Sequence, residues 1–196
     1  MDTPFHVDLA EELCGIIPCA ERVRFTNSGS EATLHALRLC RAASGRDKII
    51  RFFGHFHGYH EFTYIGGHPP ADQLDARPPY RESAGIPESM AELIIPVEYN
   101  DLEALEAVVT AHAAEAGTLL VEPVDYNCGC ITPAAGFLEA ARELADRYDL
   151  GAEIFRWEFA TAIAGAVLGV HPFDQPNVQE AKDLTERVLR SYQEHG

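Results

Sequence analysis

Short apolar runs alternate with stretches of 3.6-residue period from residue 22 to residue 148, and this alternation predicts the fold. Residues 5–19 read as a first helix that stops near Gly15 and Pro18. A short strand is expected over 22–25. Ala32-Thr33-Leu34-His35-Ala36-Leu37-Arg38-Leu39 then begins a helix that runs to about Ser44, with Gly45 as its C′ residue. Lys48-Ile49-Ile50-Arg51-Phe52-Phe53 reads as a buried strand. Residues 54–90, rich in Gly, Pro, His and Tyr, lack periodicity, and a loop of that length is usually functional or mobile. A strand over 93–97 leads to a helix over 102–116, capped by Asn100 or Asp101 and ended by Gly117. Residues 118–123 form a parallel strand ending in a carboxylate, and 135–148 an amphipathic helix. Strand alternating with helix gives an α/β layer with a mostly parallel sheet. The pattern changes near residues 149–151, after which no strand is predicted. Residues 154–168 read as an apolar helix rich in Ala and Gly, and Asn177 caps a last helix over 178–193. The chain therefore divides into 1–149 and 150–196, the second part helical.

Composition narrows the partners. The 196 residues are 46% hydrophobic and 23% charged, as in ordinary globular proteins, but the net charge is −16. Nucleic acid and anionic membrane are thereby poor partners, since both are held by clustered Lys and Arg. A small anion held by backbone N–H groups remains compatible. No basic, apolar leader is evident at the start, and the apolar stretch 159–170 is too short to span a bilayer, so a cytoplasmic protein is expected. Five cysteines at 14, 19, 40, 128 and 130 do not make a disulfide framework. Cys128-Gly129-Cys130 is either a metal or redox pair or a pair of ordinary thiols, and no second Cys/His pair flanks it.

The chemistry concentrates at Thr26-Asn27-Ser28-Gly29-Ser30-Glu31-Ala32. Glycine lets backbone approach an anion, hydroxyls add donors, and a helix start offers unpaired N–H groups. The stretch therefore reads as a phosphate cradle. On spacing alone it reads more readily as a plain N-cap, with Ser28 or Ser30 capping and Glu31 favouring the first turn.

Four segments in order decide between these readings by resemblance. They are Phe25-Thr26-Asn27-Ser28-Gly29-Ser30-Glu31-Ala32 with Ala36-Leu37-Arg38-Leu39-Cys40-Arg41-Ala42; Gly45-Arg46-Asp47-Lys48-Ile49-Ile50-Arg51-Phe52; Gly54-His55-Phe56-His57-Gly58; and Glu122-Pro123 followed by Gly136-Phe137-Leu138. Together they resemble class III aminotransferases, most closely the glutamate-1-semialdehyde aminomutase branch. The resemblance implies part of the large domain of a fold type I enzyme and the cofactor pyridoxal 5′-phosphate (PLP). It implies that Ser28, Gly29 and Ser30 hold the phosphate, that Phe56 stacks on the pyridine ring, that His57 supports that loop, and that Glu122 faces the cofactor from a strand end. A homodimer is also implied. Read without it, His55, His57 and His60 are solvated loop histidines or a weak metal site, Phe56 is a core residue, and Glu122 is a carboxylate satisfied by backbone donors.

Residues 150–190 resemble the C-terminal end of glucose-6-phosphate isomerase, in the form fused to transaldolase. The match lies in Glu153-Ile154-Phe155-Arg156-Trp157-Glu158-Phe159-Ala160-Thr161-Ala162 and in the turn Pro172-Phe173-Asp174-Gln175-Pro176. It implies Gln175 near a sugar phosphate and Lys182 as a ring-opening lysine, although Lys182 also reads as an exposed helix lysine. PLP enzymes bond the cofactor to a lysine and pair its pyridinium with a carboxylate. Only Lys48 and Lys182 are present, and neither fits the aminotransferase pattern; the strand that would carry the carboxylate is missing as well. The expectation is an incomplete PLP site joined near residues 148–152 to an incomplete isomerase segment, neither active alone.

Overall fold

A computed structural model describes residues 3–17 and 20–148. The expected helices of residues 150–196, with Gln175 and Lys182, lie outside the described residues, as does Cys19. The elements run α1 (Pro4–Ile16), α2 (Gly29–Ser44), β1 (Lys48–Phe52), α3 (Glu88–Ala91), β2 (Ile94–Val97), α4 (Leu102–Ala111), β3 (Ala116–Leu120) and α5 (Phe137–Arg147).

The three strands form one parallel sheet in the order β2-β1-β3. β1 is central and buried, as its apolar run requires. Side-chain alternation sends Ile50, Phe52 and Leu119 to one face, where Leu105 and Val109 of α4 and Phe137, Ala141 and Leu144 of α5 cover them. Ile49, Ile94 and Leu120 face the other way, onto Ala36 and Leu37 of α2 and onto Ile65 and Ile86. The architecture is thus three layers, helix–sheet–helix, and the long 54–90 segment folds over part of the α2 face.

Local chemistry explains most boundaries. Ser28 caps α2, its Oγ accepting the Glu31 N–H at 3.2 Å, and Gly45 ends it in the left-handed conformation at φ 67°. Asp101, not Asn100, caps α4 by accepting the Ala104 N–H at 2.9 Å. Asn100 has φ 65° and spends its amide elsewhere, donating to the Thr132 carbonyl and accepting from the Ala134 N–H.

Two expectations fail. Residues 22–25 are not a strand: β1 is already paired on both sides, and Arg22, Arg24 and Phe25 stay exposed. Gly117 does not end a helix. α4 stops at Ala111, and Gly117 lies inside β3, where an added Cβ would sit 2.3 Å from Ser44 Oγ and 2.6 Å from the Arg46 carbonyl oxygen. The glycine is there because strand β3 passes against the end of α2. No helix among the described residues is long and apolar enough to cross a membrane.

Candidate active site

The site gathers at the carboxyl end of the sheet, where α/β folds bind ligands. β1 delivers the 54–58 segment, β3 delivers Glu122, and the start of α2 lies beside them. The first-turn N–H groups of Gly29 and Ser30 have no intrahelical acceptor, as at any helix start. The space where a Gly29 side chain would stand is open, with nothing within 4 Å. Ser30 Oγ accepts the Tyr59 N–H at 3.2 Å and so keeps its own proton to donate. Glu31 Oε2 accepts the Asn27 N–H at 2.7 Å, which holds that carboxylate on the loop before the helix. Cap and cradle are therefore not rivals: Ser28 performs the first while the turn leaves donors for the second.

The 54–58 segment is held against α2 and Glu122. Thr33 Oγ1 donates to the His57 carbonyl at 2.8 Å and lies 3.0 Å from His60 Nε2. An added Cβ on Gly58, whose φ is 107°, would stand 2.5 Å from Ser30 Oγ, so only glycine permits this approach to α2. The Phe56 N–H donates to Glu122 Oε1 at 3.2 Å. Phe56 is half-buried, its ring edge-on to Tyr59 with centroids 5.0 Å apart. His57 is buried, and Glu122 is 6% exposed.

His55 and His57 are buried and His60 is half-buried, so none is a freely solvated loop histidine. His55 is fully buried, and its Nδ1 accepts the Glu122 N–H at 3.0 Å, which places the proton on Nε2. That Nε2 meets no acceptor among the described residues, and the ring packs against Tyr99 with centroids 4.5 Å apart. Burial, reinforced by the Arg51 charge, pushes the His55 pKa down to about 3. Burial likewise drives His57 well below the usual imidazole value and His60 to about 4. All three are neutral at pH 7. No group of three or more His, Cys, Asp or Glu among the described residues is arranged to hold a metal ion.

Three further residues belong to the site although the sequence did not single them out. Arg51 is 1% exposed beneath the 54–65 segment and donates to the carbonyls of His55, Thr63 and Ile65. Tyr99 donates to the Pro123 carbonyl at 2.8 Å; burial and the Asp125 and Glu122 charges push its pKa up to about 12. Buried Asp125 accepts the Cys128 N–H and presses its carboxylate against Gly54. Only Arg51 left a signal, a lone charge inside the apolar run of β1.

A sequence profile described as "Aminotransferase class-III" matches residues 3–151. Glutamate-1-semialdehyde 2,1-aminomutase of Natronomonas pharaonis is 45% identical over 148 residues, 76% of this chain and 32% of that protein. Its counterpart in Salinibacter ruber is 40% identical over 148 residues, 76% of this chain and 33% of that protein. Among solved structures, a transaminase with PLP bound superposes with a TM-score of 0.69 at 29% identity, over 76% of this chain and 34% of its own. A glutamate-1-semialdehyde aminomutase from Pseudomonas aeruginosa gives 0.59 at 31% identity, over 76% of this chain and 32% of its own. The chain spans about a third of the length of the curated relatives it matches.

Proposed function

This chain belongs to the class III aminotransferases, and on that premise we propose that it binds PLP, gripping the phosphate at the start of α2. One observation carries the reading. The open helix start at Ser28-Gly29-Ser30, the Phe56 segment and Glu122 are tied together by direct hydrogen bonds, Tyr59 to Ser30 and Phe56 to Glu122. The Gly29 and Ser30 N–H groups and the Ser28 and Ser30 hydroxyls hold the phosphate. Phe56 supplies an aromatic face for the ring, His57 anchors the loop beneath it, and Glu122 faces the cofactor from the end of β3. Bound there, PLP supplies an electron sink for amino-group chemistry. The curated relatives point to an aminomutase or transaminase as the parent activity.

The 196-residue chain by itself does not carry that chemistry through. Lys48, the lysine among the described residues, starts β1 and pairs with Glu115 at 2.7 Å. The site lies past the other end of the strand, about 13 Å away at ~3.3 Å per residue. Titration with PLP tests both halves of the proposal. Binding without a lysine-dependent absorption band is expected, and a strong band abolished by Lys48→Ala or Lys182→Ala would overturn the second half.

A second reading concerns the tail, beyond the reach of the family match at residue 151. The sequence Pro172-Phe173-Asp174-Gln175-Pro176 and Lys182 favour a glucose-6-phosphate isomerase segment that needs a completing partner. A coupled assay on fructose-6-phosphate should show no turnover by the chain alone. The homodimer remains a proposal, favoured by the exposed apolar side chains of Phe5 and Leu39. Light scattering that returned a clean monomer would remove it.

A further inference from the structure

We propose that Arg51 is the positioning residue of the candidate cofactor loop, fixing residues 54–67 as a preformed unit before any ligand arrives. The inference rests on the PLP reading for what the loop is for, though not for how the loop is held.

The loop is closed at its neck, where the Gly54 N–H donates to the Gly67 carbonyl at 2.7 Å. A chain segment closed in this way needs something to fill its middle, because its inward carbonyls are otherwise buried without donors. Arg51 is what fills it. One guanidinium donates from Nη1 to the carbonyls of Thr63 and Ile65 and from Nη2 to that of His55. These acceptors lie on both limbs of the loop. The planar fork of arginine reaches several carbonyls in fixed directions, as a lysine ammonium does not.

Charge is balanced from the far side. Glu82 Oε1 accepts the Gly67 N–H at 2.8 Å and the His68 N–H at 3.2 Å. Gly67 is packed between the two charged groups: an added Cβ there would lie 2.6 Å from Arg51 Nη2 and 2.9 Å from Glu82 Oε1. Burial lowers the Arg51 pKa to about 10 while Glu82 and Glu122 hold it up, so the cation persists at neutral pH. A buried charge with only partial compensation is costly, and the His55, Thr63 and Ile65 carbonyls are the groups that offset it.

The consequence is directional. With the His55 carbonyl fixed by Arg51, the next residue presents its N–H to Glu122 and its ring to the site. With the Thr63 and Ile65 carbonyls fixed, the far limb holds Tyr59 and His60 against Ser30 and Thr33. Arg51 is 1% exposed beneath the loop and spends its hydrogen bonds on loop carbonyls. It acts through that loop.

The test compares Arg51→Lys, which keeps the charge and loses the fork, with the unaltered chain in three measurements. In hydrogen exchange without ligand, amides of 54–67 should exchange at least tenfold faster in the variant, while those of α4 and α5 stay within twofold. PLP affinity should fall at least tenfold. Affinity for inorganic phosphate, which engages only the α2 start, should change less than threefold. Arg51→Met, which removes charge and fork together, should lose as much PLP affinity as Arg51→Lys or more. Equal loss of PLP and phosphate with uniformly faster exchange would reduce Arg51 to a general stability residue and overturn the inference. So would a Lys variant that binds PLP as the unaltered chain does. If the unaltered chain itself binds no PLP, the functional reading has failed, and the exchange pattern alone decides whether Arg51 holds the loop.

Discussion

Replacing Gly58 with alanine puts a methyl carbon where the structure leaves no room for one. The ideal Cβ would stand 2.5 Å from Ser30 Oγ, 2.9 Å from Ser30 Cα and 3.0 Å from Ser30 Cβ. The nearest neighbours include helix backbone, so rotating a side chain does not relieve the clash. The φ of 107° adds a second penalty, since an L-residue with a Cβ avoids that region. The backbone strain is worth ~1–3 kcal/mol, and overpacking a close contact adds ~1–3 kcal/mol. Together they give a loss of about 2–6 kcal/mol, a large part of a typical domain's ~5–15 kcal/mol. At a urea slope of ~2 kcal/mol per M, the unfolding midpoint should drop by about 1–3 M. Gly85→Ala is the matched control, because a Cβ added at Gly85 would meet no atom within 4 Å and its φ is not left-handed. Its midpoint should stay within ~0.3 M of the parent. A Gly58→Ala midpoint equally close to the parent would show that the 54–58 segment does not press on α2 in solution, and the assembly of the site would fall with it.

Three other outcomes follow from the same geometry. The folded state keeps His55, His57 and His60 neutral, while their unfolded imidazoles protonate near pH 6.5. The unfolded chain therefore binds more protons below that pH, and stability falls as pH drops from 6.5 toward the folded values of about 3 for His55 and about 4 for His60. His55 alone removes about 2 kcal/mol by pH 5, at ~1.4 kcal/mol per pH unit; urea midpoints that are flat from pH 7 to pH 5 would refute this. Glu122→Ala takes away the acceptor of the Phe56 N–H and should cost ~1–3 kcal/mol, whereas Glu122→Gln keeps an acceptor oxygen and should cost less than half as much. Equal losses in thermal or urea unfolding would deny that bond a role. Gly29→Ala should leave stability unchanged or raise it by up to ~1 kcal/mol, since the position is open and helical, while PLP affinity falls several-fold. An affinity equal to the parent's would return the α2 start to a simple cap.

What the sequence revealed depended on whether its signals were local. Gly45 announces the end of α2, and the starts of α2 and α4 narrow to two candidates each, Ser28 or Ser30 and Asn100 or Asp101, because capping is a matter of a few adjacent residues. The apolar runs of β1, β2 and β3 could be read because strands of a parallel sheet covered on both faces are buried on both faces. Residues 22–25 misled because a short run in which Val23 and Phe25 alternate with arginines looks like a strand until its would-be partners are found occupied. Gly117 misled for a related reason: a glycine after a helical stretch looks like a terminator, and only the packing of β3 on α2 shows that it serves close approach. The histidines looked solvated because their burial comes from the loop folding over the sheet. Arg51 was visible as an oddity in β1, but its three carbonyl partners lie four to fourteen residues further on, in a segment without periodicity.

If the start of α2 holds the phosphate of PLP, the chain must bind PLP more tightly than pyridoxal, which lacks that phosphate. Isothermal titration of the 196-residue chain at pH 7 should show PLP binding at least tenfold tighter than pyridoxal. Inorganic phosphate should compete, and Gly29→Ala should narrow the gap. Equal affinities for the two, or no binding of either, would mean that the start of α2 does not hold the phosphate.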